Sequence, residues 1–369
     1  MTRELVPIQL LTGFLGSGKT TLLNYLLKQP EMSSTLVIIN EFGDVGLDHM
    51  LVAHSVDRQE VVENSAGCIC CNLRSDLKKT LKEIGWRFSR NGKKQFDRVL
   101  IETTGLADPA PVLHTIMTDE YMTAHYRLDG VIATVDTTNG MHTLSTHYEA
   151  IKQLAIADCI LLTKTDLISA AELSNIEARI LSINPAAKRY EVQHGVLAYE
   201  KLLNLSLLQK LLAKPLTENP EDAQQINHWL RHDYYLNFSH PLQHLSEHAH
   251  HHDDIHAFSF NIATPITQDA FEGFLALLRE IPGQDLLRIK GIINFKDCEK
   301  PMVFHAVQHI FHPLIALPAW PSSEENHQNK LTQLVFITHD IAKETLDKLI
   351  ERAFGNAHTV NTQARLKVA

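Results

Sequence analysis

Pro7-Ile-Gln-Leu-Leu-Thr-Gly13-Phe-Leu-Gly16-Ser17-Gly18-Lys19-Thr20 is a short apolar run that enters a glycine-rich turn, and Thr20 to Lys28 continues with leucines at helical spacing. The stretch reads as strand, loop, helix, and its loop fits G-x-x-x-x-G-K-[ST] in full. Gly13, Gly16 and Gly18 let consecutive backbone N–H groups converge on phosphate oxygens, while the helix N-terminus adds partial positive charge. Lys19 reaches the β- and γ-phosphates, where it serves catalysis as well as binding, and the Thr20 hydroxyl ligates magnesium. Ser17 and Thr21 complete this phosphate-binding set.

Outward from that loop, buried strands are expected at Thr35 to Asn40, Arg98 to Glu102, Gly130 to Val135, Cys159 to Thr163 and Arg189 to Val192, mostly with helical patterns between them. Apolar strands alternating with helices imply an α/β fold, a P-loop NTPase with a mostly parallel central sheet covered on both faces. This domain is assigned to residues 1–214. From Lys214 to His256, Pro215, Pro220 and Pro241 interrupt the pattern, so residues 215–255 read as a linker and His-rich loop. Beyond it come a strand (His256 to Ile262), a helix (Gln268 to Ile281), strands at Leu287 to Phe295, Met302 to His312 and Leu331 to Thr338, and a helix from Ala342 to Ala353. That order predicts a smaller α+β domain over 256–369.

Leu-Leu-Thr163-Lys164-Thr165-Asp166 ends the Cys159 to Thr163 strand and decides the base. A carboxylate at Asp166 accepts from the N1–H and exocyclic amine that guanine has and adenine lacks, and the stem of Lys164 covers the ring, so the nucleotide is GTP. Thr163 stands where guanine-binding motifs usually carry Asn, which removes one side-chain amide. Val99-Leu-Ile-Glu102-Thr-Thr-Gly105 ends an apolar strand in an acid that can hold magnesium through water, and the Gly105 N–H can meet the γ-phosphate. Lys19, Glu102 and Gly105 are therefore the candidate catalytic residues for phosphoryl transfer to water. No side chain in these motifs is an obvious general base, so slow intrinsic turnover is expected.

Lys plus Arg is 34 and Asp plus Glu is 43, a net charge of −9 over 369 residues, which gives no general driving force for nucleic acid. No apolar run reaches the ~18 residues of a membrane span and no signal peptide is evident, so no membrane association and a cytoplasmic location are expected. Three of five cysteines, Cys68, Cys70 and Cys71, fall within four positions, which suits ligands and not disulfides.

Together, Thr12 to Thr21, Asn40-Glu-Phe-Gly-Asp-Val-Gly-Leu-Asp48, Gly67-Cys-Ile-Cys-Cys71, Glu102-Thr-Thr-Gly-Leu-Ala-Asp-Pro109, Thr163 to Asp166 and Leu287-Arg-Ile-Lys-Gly-Ile292 resemble the CobW-type metallochaperone GTPases of the SIMIBI class. The resemblance spans both domains. It implies that the C-x-C-C stretch is the metal site, that the segment holding Asp48 is switch I, with Asp48 on the nucleotide, and that the segment after Glu102 is switch II. Thr163 is also usual in part of that family. Asp44 stands where the family commonly has Glu, one methylene longer.

On its own chemistry, a set of three thiolates suits zinc in tetrahedral geometry, with cobalt, nickel or copper(I) left open. A fourth ligand comes from Glu41 or Asp44, which would tie coordination to the nucleotide. His244, His248, His250, His251 and His252, with acids between them, read as a metal-buffering tract. His305 and His309 fall on one face of an expected strand and His312 on the other. Cys159 reads as core and Cys298 as a free thiol.

The function expected is a GTPase, GTP plus water to GDP plus phosphate, that binds a transition metal, foremost zinc with cobalt or nickel as alternatives. GTP and magnesium would control its delivery to a client metalloprotein. A nucleotide- or metal-dependent homo-oligomer is compatible with this. The alternatives are a cytoplasmic zinc buffer with vestigial GTPase activity and a cobalt-handling GTPase of cobalamin biosynthesis.

Overall fold

The computed structural model describes residues 5–39, 52–53, 73–90, 93–94, 96–203, 205, 255–317, 319–320 and 330–355. Glu41, Asp44, Asp48, Cys68, Cys70, Cys71, His244, His248, His250, His251 and His252 lie outside them. The chain divides into two compact units, Met1–Ile180 with Ala187–Gln209, and Leu181–Ala186 with Lys210–Ala369.

In the first unit the chain runs β1 (Val6–Gly13), α1 (Lys19–Leu26), β2 (Thr35–Ile39), β3 (Val52–Ala53), α2 (Leu73–Arg87), β4 (Ser89–Arg90), β5 (Lys93–Lys94) and β6 (Arg98–Glu102). It continues through α3 (Ala110–Thr118), α4 (Glu120–His125), β7 (Tyr126–Asp136), α5 (Gly140–Thr146), α6 (Tyr148–Ile156), β8 (Cys159–Thr163), α7 (Ala170–Ile183) and β9 (Lys188–Val192). The sheet order is β3-β2-β6-β1-β7-β8-β9. Every neighbouring pair is parallel except β2 with β3. All eight residues of β1 are buried, as a central strand covered on both faces requires. The mostly parallel P-loop sheet expected from the sequence is thus the one found. β7 starts at Tyr126, four residues before the apolar run that marks it in the sequence, because β1 pairs along its whole length.

Register places the functional edge. Leu11 pairs with Glu102, Gly13 with Thr134, Asp136 with Thr163 and Thr163 with Val192, so the carboxyl ends of β6, β1, β7, β8 and β9 finish along one side of the sheet. The chain leaves β1 for β2 on one side and later crosses from β6 to β7 on the other side of β1, and a crevice opens at such a switch point. At the other end, buried Asp129 meets Arg98 at 3.0 Å and Gln9 at 3.1 Å, and the Tyr199 hydroxyl donates to Gln9 Oε1 at 3.2 Å.

The second unit comprises β10 (Ile255–Ile262), α8 (Gln268–Glu280), β11 (Leu286–Ile293), β12 (Met302–Val307), β13 (Ile310–Phe311), β14 (Ile315–Ala316), β15 (Thr332–His339) and α9 (Lys343–Phe354). Its antiparallel sheet is ordered β10-β15-β11-β12-β13, with β14 also on β12. Phe271 and Phe274 of α8 meet Phe304 and Phe336 of the sheet edge to face, and Leu346 and Ile350 of α9 join the same core. No described helix is long and apolar enough to cross a membrane.

One expected strand is corrected. Met302 to His312 is not a single strand, because Gln308 sits at φ 51° and turns β12 back onto β13. His309 therefore leaves the face shared with His305, its ring bonding the carbonyl of Ile281 at 2.5 Å. His312 instead folds over His305, with ring centroids 4.7 Å apart and planes within 8°. His305 is 5% exposed and lies in register opposite Lys290, itself buried. Burial first, then His312, Arg288 and Lys290, hold its pKa well below the usual histidine value.

An unfolded histidine takes up its proton near pH 6.5, whereas His305 in the fold does not, so unfolding binds a proton once the pH drops below that value. Stability contributed by neutral His305 is present above about pH 6.5 and is lost by up to about 1.4 kcal/mol per pH unit below it. Urea unfolding compared at about pH 7.5 and about pH 5.5 should show a smaller acid-induced loss for His305→Leu than for wild type, by roughly 1 kcal/mol. Equal losses would show that His305 does not carry the proton uptake.

Candidate nucleotide site

The loop between β1 and α1 takes the conformations its glycines permit: φ is 139° at Gly13, 69° at Gly16 and 90° at Gly18. At Gly13 a Cβ would also lie 2.2 Å from Thr134 Oγ1, so β7 packs directly against the loop. The Ser17 hydroxyl lies 2.6 Å from Phe14 O and 2.6 Å from Thr134 Oγ1. Lys19, 8% exposed, donates to the carbonyls of Gly13 at 2.8 Å and Phe14 at 3.1 Å. The ammonium is thereby aimed along the loop.

Two oxygen donors meet beside it. Thr20 Oγ1 donates to Glu102 Oε1 at 3.3 Å, bringing the first turn of α1 to the tip of β6. A hydroxyl and a carboxylate in this arrangement fit magnesium, which takes hard oxygen ligands. Past Glu102, Thr103 N donates to Leu11 O at 2.9 Å and Thr103 Oγ1 to Thr12 Oγ1 at 3.0 Å, so the segment is stitched to β1. Gly105 then passes so close to the loop that a Cβ would lie 2.6 Å from Leu15 N and 2.8 Å from Leu15 Cα. Gln153 of α6 holds this segment from behind, donating to the carbonyls of Gly105 and Ala107, both at 3.1 Å.

Thr163 is placed where its role can be read. Its hydroxyl lies 2.9 Å from Ser17 O and 3.0 Å from Val135 O, sharing one proton between the P-loop and β7. The side chain that replaces the usual amide fastens the phosphate loop. Lys164 adopts φ 59° and pairs with Asp136 Oδ2 at 2.7 Å. Burial pushes the Asp136 carboxyl up, but Lys164, Thr138 and Asn139 outweigh it and hold the pKa below the ordinary value. Behind the loop, a cavity of about 310 Å³ is bounded by Phe14, Leu15, Val135, Leu144, Leu154 and Lys164, among others.

The structure also brings in residues that the motifs do not mark. The loop after β9 carries His194 at φ 51° and Gly195 at φ 76°. His194 Nε2 stands 3.8 Å from Asp166 Oδ2 and its side chain is 83% exposed. A Cβ on Gly195 would lie 2.8 Å from Thr21 O, so this loop closes on α1 next to Asp166. The signal available in the sequence was positional: a glycine just past the last parallel strand, at the same edge as the other motifs. Cys159 is fully buried and its thiol is pushed up to about 12 by burial, as a core residue's should be. Among the described residues, no three His, Cys, Asp or Glu side chains gather around a common point.

Comparison with known proteins agrees with this geometry. Residues 7–191 match the family described as CobW/HypB/UreG, nucleotide-binding domain, and residues 255–354 match the cobalamin synthesis protein cobW C-terminal domain. The zinc chaperone YjiA of Escherichia coli (strain K12) is 31% identical over 306 residues, covering 83% of this chain and 87% of that protein. Zinc-regulated GTPase metalloprotein activator 1 of Schizosaccharomyces pombe is 32% identical over 331 residues, covering 84% and 77%. The crystal structure of Zn(II)-bound YjiA GTPase from E. coli aligns with a TM-score of 0.63 at 26% identity, over 95% of this chain and 99% of that one.

Two substitutions test how the loop is held. Thr163→Val removes the proton shared by two buried carbonyls and should weaken GTP binding about tenfold, since leaving such groups unmet costs about 1–3 kcal/mol. Gly105→Ala pushes a methyl into the backbone of Leu15 and should lower GTP hydrolysis at least tenfold, about 1.4 kcal/mol, with smaller change in GDP affinity. Equilibrium titration with a fluorescent guanine nucleotide and single-turnover hydrolysis check both.

Proposed function

The chain belongs to the CobW/HypB/UreG family, and on that premise we propose that it is a GTP-hydrolysing zinc metallochaperone that couples the nucleotide cycle to transfer of zinc to a client protein. The observation that carries this reading is the assembly, on one sheet edge, of Lys19, the Thr20–Glu102 pair and Thr163 to Asp166, in a chain that also holds Cys68, Cys70 and Cys71. Zinc enters from the relatives, which are named a zinc chaperone and a zinc-regulated GTPase metalloprotein activator.

In this reading the N–H groups of Gly13 to Thr20, with Ser17 and Thr21 beside them, take the phosphates. Lys19 exchanges two neutral carbonyls for phosphate oxygens, because a charge-assisted bond is stronger. Thr20 and Glu102 hold magnesium, which neutralises charge on the β- and γ-phosphates when bound. Asp166 reads the guanine edge with Lys164 beside it, and His194 and Gly195 border the base. The Gly105 N–H meets the γ-phosphate, and its contact with Leu15 makes the segment after Glu102 respond to what the P-loop holds. Asp48, in the segment assigned to switch I, acts on the nucleotide. Cys68, Cys70 and Cys71 with Glu41 or Asp44 carry the zinc, and His244 to His252 feed or buffer it. The cytoplasm is the proposed site of action.

The decisive experiment is zinc affinity by chelator competition without nucleotide, with GDP and with a non-hydrolysable GTP analogue, on wild type and Cys70→Ala/Cys71→Ala. A nucleotide-dependent change of about tenfold or more, about 1.4 kcal/mol, that disappears in the double variant is expected, and zinc must shift nucleotide affinity by the same factor. Equal zinc affinity in all three states would sink gated delivery. On the base side, Asp166→Asn offers a donor where guanine also donates, and should lower GTP affinity by roughly 100-fold while improving that of xanthosine triphosphate.

A further inference from the structure

The charge of this chain is unevenly placed. Residues 73–98 carry nine Lys or Arg and three Asp or Glu, a net of +6, in a chain of net −9, which leaves the remainder at −15. These 26 residues are α2, the β4–β5 hairpin and the first residue of β6. In α2, Leu77, Leu81 and Ile84 are buried, while Lys79, Lys82, Glu83 and Trp86 share the exposed side at spacings of three, four and seven. Trp86 is 81% exposed, the highest value among the exposed large apolar side chains of the described residues. Beyond it, β4 pairs with β5 so that Arg90 stands opposite Lys93 and Ser89 opposite Lys94.

Part of the charge is already committed. Lys78 pairs with Asp119 at 2.7 Å, which also caps α4, and Arg98 pairs with buried Asp129 at 3.0 Å. Lys82 Nζ stands 5.8 Å over the ring of Tyr121, which in turn stacks on His125 at 4.2 Å. Glu83, Asp97 and Glu120 are exposed acids of the described residues here, and Asp97 accepts from the Ser34 hydroxyl at 2.8 Å. One large indole projects from the exposed side of α2 among Lys79, Lys82 and Glu83.

We propose that the exposed face of α2 is a docking surface for an acidic segment of a partner protein, with Trp86 as its apolar anchor. Tryptophan is a preferred anchor at protein interfaces, and surrounding charge speeds and orients encounter. The charge distribution favours a short acidic segment over a long polyanion. Screening confines the patch's field to about 8 Å, while nucleic acid or an anionic bilayer spreads over the remaining −15 as well. One indole makes no platform for successive bases, and the apolar side of α2 is buried in the fold and not offered to lipid. α2 starts two residues past Cys71, and Trp86 lies about 20 Å along it, so a segment docked here sits beside the element that leaves the cysteines. That the docked partner is the zinc recipient rests on the function proposed above; the docking itself does not.

The test uses the full chain and a fluorescein-labelled peptide, Glu-Asp-Glu-Phe-Glu-Asp-Glu, read by anisotropy without metal or nucleotide. Binding is expected at about 25 mM salt, with at least tenfold weakening at about 300 mM salt, in Trp86→Ser and in Lys79→Glu/Lys82→Glu. Basal GTP hydrolysis should stay within about twofold in both variants, since neither touches the nucleotide site. Absence of peptide binding at low salt, binding indifferent to both variants, or tighter binding of an oligo-dT strand or phosphatidylserine vesicles through the same residues would each overturn the proposal. Because no zinc or GTP is present, its failure is distinct from failure of gated delivery.

Discussion

Because Leu11 pairs with Glu102 and Gly13 with Thr134, the three central strands finish level, and the phosphate loop is clamped between the strand that supplies the acid and the strand that supplies Asp136. A one-residue slip on either side would move Glu102 from the crevice into a packed face, since alternate residues point oppositely. The buried network at the opposite end, Gln9 with Asp129 and Tyr199, Asp129 with Arg98, makes such a slip costly, because each partner would be left buried and unmet. Chemistry at one end of the sheet is thus held in register by polar groups at the other.

Much of this was legible from the sequence because it is local. A strand, a glycine turn and a helix occupy neighbouring residues, and the glycines at positive φ are those the motif names. What was not legible depends on residues far apart. Thr163 reads alone as a missing amide, yet it lies 146 positions from the loop whose carbonyl it holds. His194 and Gly195 have no motif and acquire meaning only because β9 ends beside β8, bringing them to Asp166 and Thr21. The turn at Gln308 escaped because glutamine is a poor marker for φ of 51°, and that conformation separated His309 from His305.

The second unit shows a different use of buried charge. Arg288, Lys290 and His305 are each at most 5% exposed and share one face of its sheet, opposite the phenylalanine core. Burying cations is costly, and an imidazole can meet that cost by staying neutral, which is what the depressed pKa of His305 expresses. The guanidinium of Arg288, on the same strand as Lys290, has no such option. The retention of Arg288 and Lys290 within the Leu286–Ile293 strand, otherwise apolar apart from Gly291, argues that this face is specified by polarity as well as by packing.

Coupling between nucleotide and metal, if it runs through the P-loop, has few places to run. The inner face of the loop offers its N–H groups, while its outer face is occupied: Phe14 stacks on His147 at 4.4 Å, and the backbone of Leu15 touches Gly105 too closely for any side chain there. Packed interiors transmit displacement instead of absorbing it. A γ-phosphate that draws the Gly105 N–H inward must therefore shift Leu15, the 103–105 segment, or both, and Gln153 limits the second by gripping Gly105 and Ala107 from behind. Two discrete settings of this segment, one per nucleotide state, follow more naturally from such constraints than a graded response. A two-setting element is what a carrier needs if it is to hold its cargo firmly in one state and yield it in the other.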